Sequence, residues 1–419
     1  MRVLYITYDG ILESIGQAQV LPYLERLGDT AQLHLLTFEK PGDWKNTSLI
    51  AATRRRLQQA GIQWHPHTFQ SRPPLIAKLF DSARLVSATN KIVLKYSIDA
   101  IHCRSYVAAQ GALAAKRKHG TPYIFDMRGF WVDERREGGR WKSSNPFYSL
   151  LYRRWKHKEN QFIENAAEIV VLTKAAKQTI GAWPSYRGQP VSVIRCRVDH
   201  ERFQLHSSER RATSRRELGI TDNNMLLVYL GSLGTIYKLT DMLRFFERLK
   251  QHRPNAKFLF IGKHRKAMIE EQITAKRLEL SEDDILVRPL PYEEVPAYLA
   301  AADLAIAFRK PTFSSRAASP TKLGEYFACG LPVITNAGVG DVGRIVTTID
   351  AGHVTSPEIT NTDLDLAVQA TGNLLLIERE RIRNASIPLH DIEDAIASYK
   401  TIYRRVRQHL NSTGEDPTS

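Results

Sequence analysis

A chain of 419 residues is longer than one ordinary hydrophobic core supports, so two domains are expected. Its 43% hydrophobic and 25% charged content is ordinary for a soluble globular protein, and no apolar run approaches the ~20 residues that span a bilayer. A net charge of +15 favours an anionic partner (nucleotide, nucleic acid or acidic lipid), while three scattered cysteines, Cys103, Cys196 and Cys329, fit neither a disulfide framework nor metal-ligand spacing.

The first half alternates strand and helix. Expected strands are Val3–Thr7, Leu33–Phe38, Ile62–His65, Ala100–Cys103, Tyr123–Phe125, Ile169–Leu172 and Val191–Ile194. This order argues for an open parallel sheet with helices on both faces. The opening strand starts almost at Met1 and leaves no room for a signal peptide, so a cytoplasmic protein is expected, with any membrane contact peripheral and at the inner face. Ser14-Ile15-Gly16-Gln17 follows that strand. A glycine at a strand-to-helix turn lets backbone approach a ligand closely; an ordinary connecting loop gives the same pattern.

Phe125 to Glu134 is the densest polar cluster of this half, with Asp126, Arg128, Asp133 and Glu134 after a buried strand. Catalytic groups of α/β enzymes lie at such strand ends, and the carboxylates are candidates for the acceptor side. The alternative is a structural ion-pair network. Two basic helices are expected: Phe147 to Phe162, with Arg153, Arg154, Lys156 and Lys158, and Leu75 to Tyr96, with Lys78, Arg84, Lys91 and Lys95. Such helices either lie on an anionic membrane or pack as surface helices with snorkelling cations.

Glu201 to Asn224, rich in Arg and Ser, breaks the alternation and is read as holding the domain boundary. The expected division is 1–205 and 206–388, then a helix over 389–410 that packs back on the first domain, and a disordered tail at 411–419. Strands resume at Leu226–Leu230, Lys257–Ile261, Ile285–Arg288, Leu304–Phe308 and Val333–Thr335. Two such α/β domains facing each other enclose a cleft, and ligands bind beyond the carboxyl ends of the strands. After the first of these strands, Ser232 and Lys238 lie in the loop, where a lysine either reaches a diphosphate or is simply solvated.

The most informative stretch is Asp303 to Thr335, read as strand, loop, helix, strand. The loop carries Arg309, Lys310 and Arg316. Ser319-Pro320 opens the helix, with the serine expected to cap it, and Gly330 closes it as a left-handed cap. Leu323, Tyr326, Phe327 and Gly330 are expected to face the core, and Thr321, Lys322 and Glu325 the other side. Hydroxyls, free N–H groups and an ammonium at the positive end of a helix suit phosphate. Glu325, one turn on, can accept hydrogen bonds from a ribose. The alternative is a plain capped helix with a solvated glutamate. Gly338 to Gly343 matches GxGxxG, but it lies too late in its domain for a nicotinamide site and reads as a phosphate- or sugar-facing turn.

SPTKLGEYFACGLPVI (Ser319 to Ile334), with YDGILESIGQAQVLPYL near the start and FDMRGFWVDER, resembles the bacterial group-one glycosyltransferases: retaining, nucleotide-sugar-dependent enzymes of the GT-B fold, here a surface-polysaccharide branch. The resemblance covers nearly the whole chain. It implies that Glu325 holds the donor ribose, that Ser319, Thr321 and Lys322 meet the diphosphate, that Lys238 is one cation of a diphosphate-binding pair, and that Gly16 borders the donor. Ser232 stands where the second cation of that pair is usual, so Arg309 or Arg316 is expected to supply it. Ala317 replaces a usual glutamate, and Arg128 stands at the position often held by a catalytic-site histidine.

The implied reaction is glycosyl transfer from a nucleoside-diphosphate sugar to a hydroxyl of a polysaccharide or lipid-linked glycan, with retention, without a metal and without a cofactor. Lys238, Lys322 and Arg128 are the candidate catalytic groups. Two other classes remain open: a GT-B nucleotide-sugar epimerase, and a basic protein that binds nucleic acid or an anionic surface. No nucleic-acid module is visible, so no nucleic-acid partner is expected.

Overall fold

The computed structural model describes residues 1–70 and 74–414. The chain divides into two compact units, one comprising Met1–Asp133, Trp141–Arg195 and Ile392–Ser419, the other Glu134–Arg140 and Cys196–Asp391.

The first unit holds β1 (Arg2–Thr7), β2 (Gln32–Glu39), β3 (Gln63–Thr68), β4 (Ala100–Arg104), β5 (Tyr123–Asp126), β6 (Glu168–Val171) and β7 (Val191–Val193). They pair in the order β3-β2-β1-β4-β5-β6-β7, and every pairing is parallel. The second unit holds β8 (Leu226–Leu230), β9 (Lys257–Ile261), β10 (Ile285–Arg288), β11 (Leu304–Ala307), β12 (Val333–Asn336) and β13 (Gly352–Thr355). Their order is β10-β9-β8-β11-β12-β13, again all parallel. Parallel strands inside a sheet are covered on both faces, and β8 and β4 are buried at every position. The strand order reverses between β1 and β4 and between β8 and β11. Such switch points open a crevice at the carboxyl ends, where α/β sheets bind ligands.

Each expected strand is present, with ends shifted by at most three residues. The sequence reading misses β13, a four-residue edge strand pairing only with β12. Gly352 and His353 give it little strand character, and tertiary pairing overrides that.

The boundary expected after residue 205 lies instead at Arg195/Cys196. The basic stretch read as a linker contains a helix, Ser208–Glu217, built into the second unit. Arg215 is only 1% exposed; it donates to the Ala301 and Thr221 carbonyls, both at 2.7 Å. Asp303 pairs with both Arg211 and Arg215. The arginines are therefore structural cations rather than a solvated run.

A helix not expected, Arg379–His390 in the second unit, precedes the last helix, expected over 389–410 and found as Ile392–Gly414 in the first. The latter continues through 411–414, where a disordered tail was expected; the rest of that tail lies outside the described residues. Among the described residues no helix is long and apolar enough to cross a membrane. Of the two basic helices, Pro146–Asn165 exposes Phe147 and Leu150, while its Lys156 turns inward to Asp133 and Glu159. In the other, Pro74–Tyr96, the Lys78 side chain lies outside the described residues.

Candidate functional site

In the second unit the site builds from the switch point between β8 and β11. Tyr229, on β8, sets its ring 5.7 Å from that of Tyr237 at an interplanar angle of 75°. The two rings form a corner, and the Lys322 ammonium occupies it. Nζ lies 4.1 Å from the Tyr229 ring centre and 3.9 Å from that of Tyr237, and donates to the Tyr229 hydroxyl at 2.9 Å. The hydroxyl in turn donates to the Ser232 carbonyl at 2.8 Å. Gly231 adopts φ +101°, and a Cβ there would approach Nζ to 3.3 Å, so both conformation and space favour glycine.

Lys322 is buried, and burial pushes its ammonium well below the ordinary lysine range; Glu325 opposes this shift and the nearby Arg309 adds to it. Removing an ammonium from water costs several kcal/mol, and each desolvated ring face returns only about 2 kcal/mol. The corner alone does not neutralise the charge.

Arg309 follows β11. Its backbone is clamped by Asn336, whose Oδ1 accepts from Arg309 N at 2.8 Å and whose Nδ2 donates to Arg309 O at 2.9 Å. Its guanidinium lies 5.9 Å from the Tyr237 ring centre and donates to Ser315 Oγ at 3.2 Å and Glu134 Oε2 at 3.1 Å. Arg309 and Lys322 thus share one tyrosine. Arg316, the other expected cation, is exposed and lies over the Phe313 ring.

One turn along the helix Thr321–Ala328, Glu325 is 6% exposed and accepts from the Tyr292 hydroxyl at 3.0 Å. Burial lifts its carboxyl to about 7, against the opposing pull of Tyr292 and Lys322. Lys322 to Ala328 are buried throughout. The alternative of a solvated Glu325 therefore falls.

Ser319 does not cap this helix. Its Oγ accepts from the Cys196 backbone N–H at 3.3 Å, and the helix starts at Thr321 without a side-chain cap. Thr321 is half-buried at the first helical position. Gly330 is left-handed as expected, φ +69°, and a Cβ there would strike Arg379. The Lys238 ammonium lies 3.1 Å from Asp241 Oδ2 and 3.0 Å from the Glu358 carbonyl. Ser232 is exposed and contributes its carbonyl. In the GxGxxG turn, Gly340 N donates to Ser315 O at 2.8 Å, so the turn buttresses the Arg309–Ser315 loop.

Sequence reading missed Tyr229, Tyr237, Tyr292 and His264, whose Nε2 lies 2.8 Å from Gly231 O. Each looks locally like an ordinary aromatic or loop residue; only the sheet order assembles them.

In the first unit, Asp126 ends β5 and is 1% exposed. Burial works to raise its carboxyl, but Arg128, His102 and Arg104 together hold it below the usual range. Arg128 Nη1 lies 3.8 Å from Asp126 Oδ2. Asp133 accepts from the Tyr152 hydroxyl at 2.7 Å and Lys156 Nζ at 3.1 Å. Glu134 belongs with the second unit and pairs with Arg309. Gly16 lies inside the short helix Ser14–Gln19, where a Cβ would come within 2.3 Å of the Gly10 carbonyl. Its close approach is to its own loop. Among the described residues no group of three or more His, Cys, Asp or Glu is placed to hold a metal ion.

Residues 210–379 match the family described as glycosyl transferases group 1, and residues 17–197 match the glycosyl transferase 4-like domain. Over 110 residues the chain is 33% identical to chitobiosyldiphosphodolichol beta-mannosyltransferase of Debaryomyces hansenii, a match spanning 26% of this chain and about a fifth, 22%, of that relative. Among solved structures, the sucrose-phosphate synthase of Thermosynechococcus elongatus superposes with TM-score 0.73 at 15% identity, covering 98% of this chain and 100% of that one. Anabaena HepE in complex with UDP-glucose gives TM-score 0.66 at 15% identity, covering 98% and 100%. At such identities the likeness is one of fold, the GT-B fold.

Proposed function

We propose that this chain, whose residues 210–379 match the glycosyl transferases group 1 family and 17–197 the glycosyl transferase 4-like domain, moves a sugar from a nucleoside-diphosphate sugar to a hydroxyl of a polysaccharide or lipid-linked glycan. The observation that carries this reading is Lys322, a buried ammonium held between two tyrosine rings one helical turn from the buried Glu325. A diphosphate at the helix tip meets Lys322, Arg309 and the uncapped N–H groups at Thr321, and Glu325 accepts from the ribose hydroxyls. Lys238 joins them if it leaves Asp241.

As the bond between the sugar C1 and the diphosphate oxygen breaks, negative charge builds on the leaving group. Fixed cations in a site of low dielectric stabilise that charge without reorganising. The acceptor oxygen bonds to C1, and its proton passes to the departing diphosphate. Retention is carried over from the family resemblance, as is metal independence, which the pairing of Lys322 with Arg309 supports. Arg128, at the end of β5, is placed on the acceptor side with Asp126.

A lipid-linked acceptor is supported by the diphosphodolichol-linked substrate in the fungal relative's name. Exposed Phe147 and Leu150, beside Arg153 and Arg154, support peripheral contact with an anionic leaflet. The test is a thermal-shift panel of UDP, GDP and ADP with their sugars, UDP-glucose first. One nucleotide is expected to stabilise the protein, and K322M and E325Q to flatten that response. No shift with any of them overturns the donor site.

A further inference from the structure

The end of the first sheet and the last helix of the chain form one hydrogen-bonded assembly. Tyr5 pairs in register with His102, Thr7 with Arg104, and Arg104 with Asp126. Side chains alternate along a strand, so Tyr5, His102, Arg104 and Asp126 share one face. On the helix Ile392–Gly414, Tyr399 and Tyr403 are four residues apart and so also share a face. The two faces meet. The Tyr403 hydroxyl lies 3.0 Å from His102 Nδ1, and the Tyr399 hydroxyl donates to Asp126 Oδ2 at 3.2 Å. That same oxygen is 3.8 Å from His102 Nε2 and 3.8 Å from Arg128 Nη1. The rings of Tyr5, Tyr399 and Tyr403 all pack on the His102 ring.

Arg128 follows in a conformation that an L side chain rarely adopts, φ +55°, with Gly129 at φ +123°. Such a backbone persists where its surroundings over-determine it, and functional sites are where this recurs. Asp126 Oδ2 faces Arg128 Nη1 at 3.8 Å, and Tyr399, 273 residues further along the chain, fixes that carboxylate. Both sides of the helix are otherwise anchored to the same unit: Lys400 bonds Asp29 at 2.7 Å, and Arg405 Nε bonds Glu168 at 3.0 Å.

We infer that the last helix is a positioning device for transfer: Tyr399, through Asp126 Oδ2, aims the Arg128 guanidinium, with His102 and Tyr403 keeping the carboxylate in place. Tyr399 and His102 are buried and do not themselves touch a substrate. The inference rests on Arg128 acting at the transfer site.

The test uses the full chain and the sugar nucleotide selected by the thermal-shift panel. Y399F is expected to lower turnover about tenfold with donor KM unchanged, and to cost nothing further in an R128K background. The Nε–H signal of Arg128 in ¹⁵N spectra, identified by its loss in R128K, is expected to move in Y399F. Full turnover in Y399F, an equal loss in both backgrounds, or an unmoved Arg128 signal overturns the inference. Wild-type turnover in R128K removes Arg128 from the transfer site instead, and the Nε–H signal still decides whether Tyr399 aims it.

Discussion

The Lys322 ammonium sits 3.9 Å from the centre of the Tyr237 ring, and Arg309 approaches the same ring at 5.9 Å. Two cations on one tyrosine repel each other, so the arrangement serves a ligand anion better than it serves the fold. K322M is therefore expected to leave stability unchanged or to raise it by about 1 kcal/mol, since replacing buried charge by apolar volume is often neutral or favourable. It should also reduce turnover about 100-fold or more, the scale of losing one charge-stabilising group. Urea denaturation and initial rates with the selected donor check both.

Lys238 offers a contrast, because Asp241 and the Glu358 carbonyl already hold its ammonium. K238A is expected to cost about tenfold in turnover, roughly 1.4 kcal/mol, clearly less than K322A. Equal losses would mean that Lys238 leaves Asp241 in every productive complex.

Glu325 carries a pH signature. Its carboxyl is raised to about 7 by burial, so between its unfolded value near 4.5 and 7 the folded state binds the extra proton. The stabilisation is complete below 4.5 and is lost as pH rises through 7. Wild type should lose up to about 3 kcal/mol relative to E325Q across that window. Denaturation curves at pH 4.5, 6 and 8 measure it, and a constant difference would show that Glu325 is ionised throughout.

Arg215 gives a test of the revised boundary. R215A removes the donor to the buried Ala301 and Thr221 carbonyls and one of the arginine partners of Asp303, and should destabilise the second unit by about 3 kcal/mol. A surface linker would show a change within about 0.5 kcal/mol.

For Gly16, the Cβ of G16A would lie 2.3 Å from the Gly10 carbonyl and 2.6 Å from Ile11 Cα. Backbone cannot rotate away as a side chain does, so a loss of about 1–3 kcal/mol is expected. Unchanged stability with weakened donor binding would favour a ligand-facing role instead.

Strand positions were legible because parallel strands buried on both faces must be apolar, and Leu226–Leu230 or Val333–Ile334 announce that without partners. The helix carrying Lys322 and Glu325 was legible from its flanking Pro320 and Gly330, since φ restrictions act locally. What covers that helix was not. Whether Glu325 meets water or Tyr292, whether Ser319 caps or turns to Cys196, and which arginine stands beside Lys322 depend on segments tens to hundreds of residues away. The basic stretch around Arg215 misled for the same reason: composition records charge but not the Asp303 that neutralises it. Local rules fix backbone conformation, whereas burial and pairing are properties of distant chain brought together by the sheet order, and the electrostatics of this site are made there.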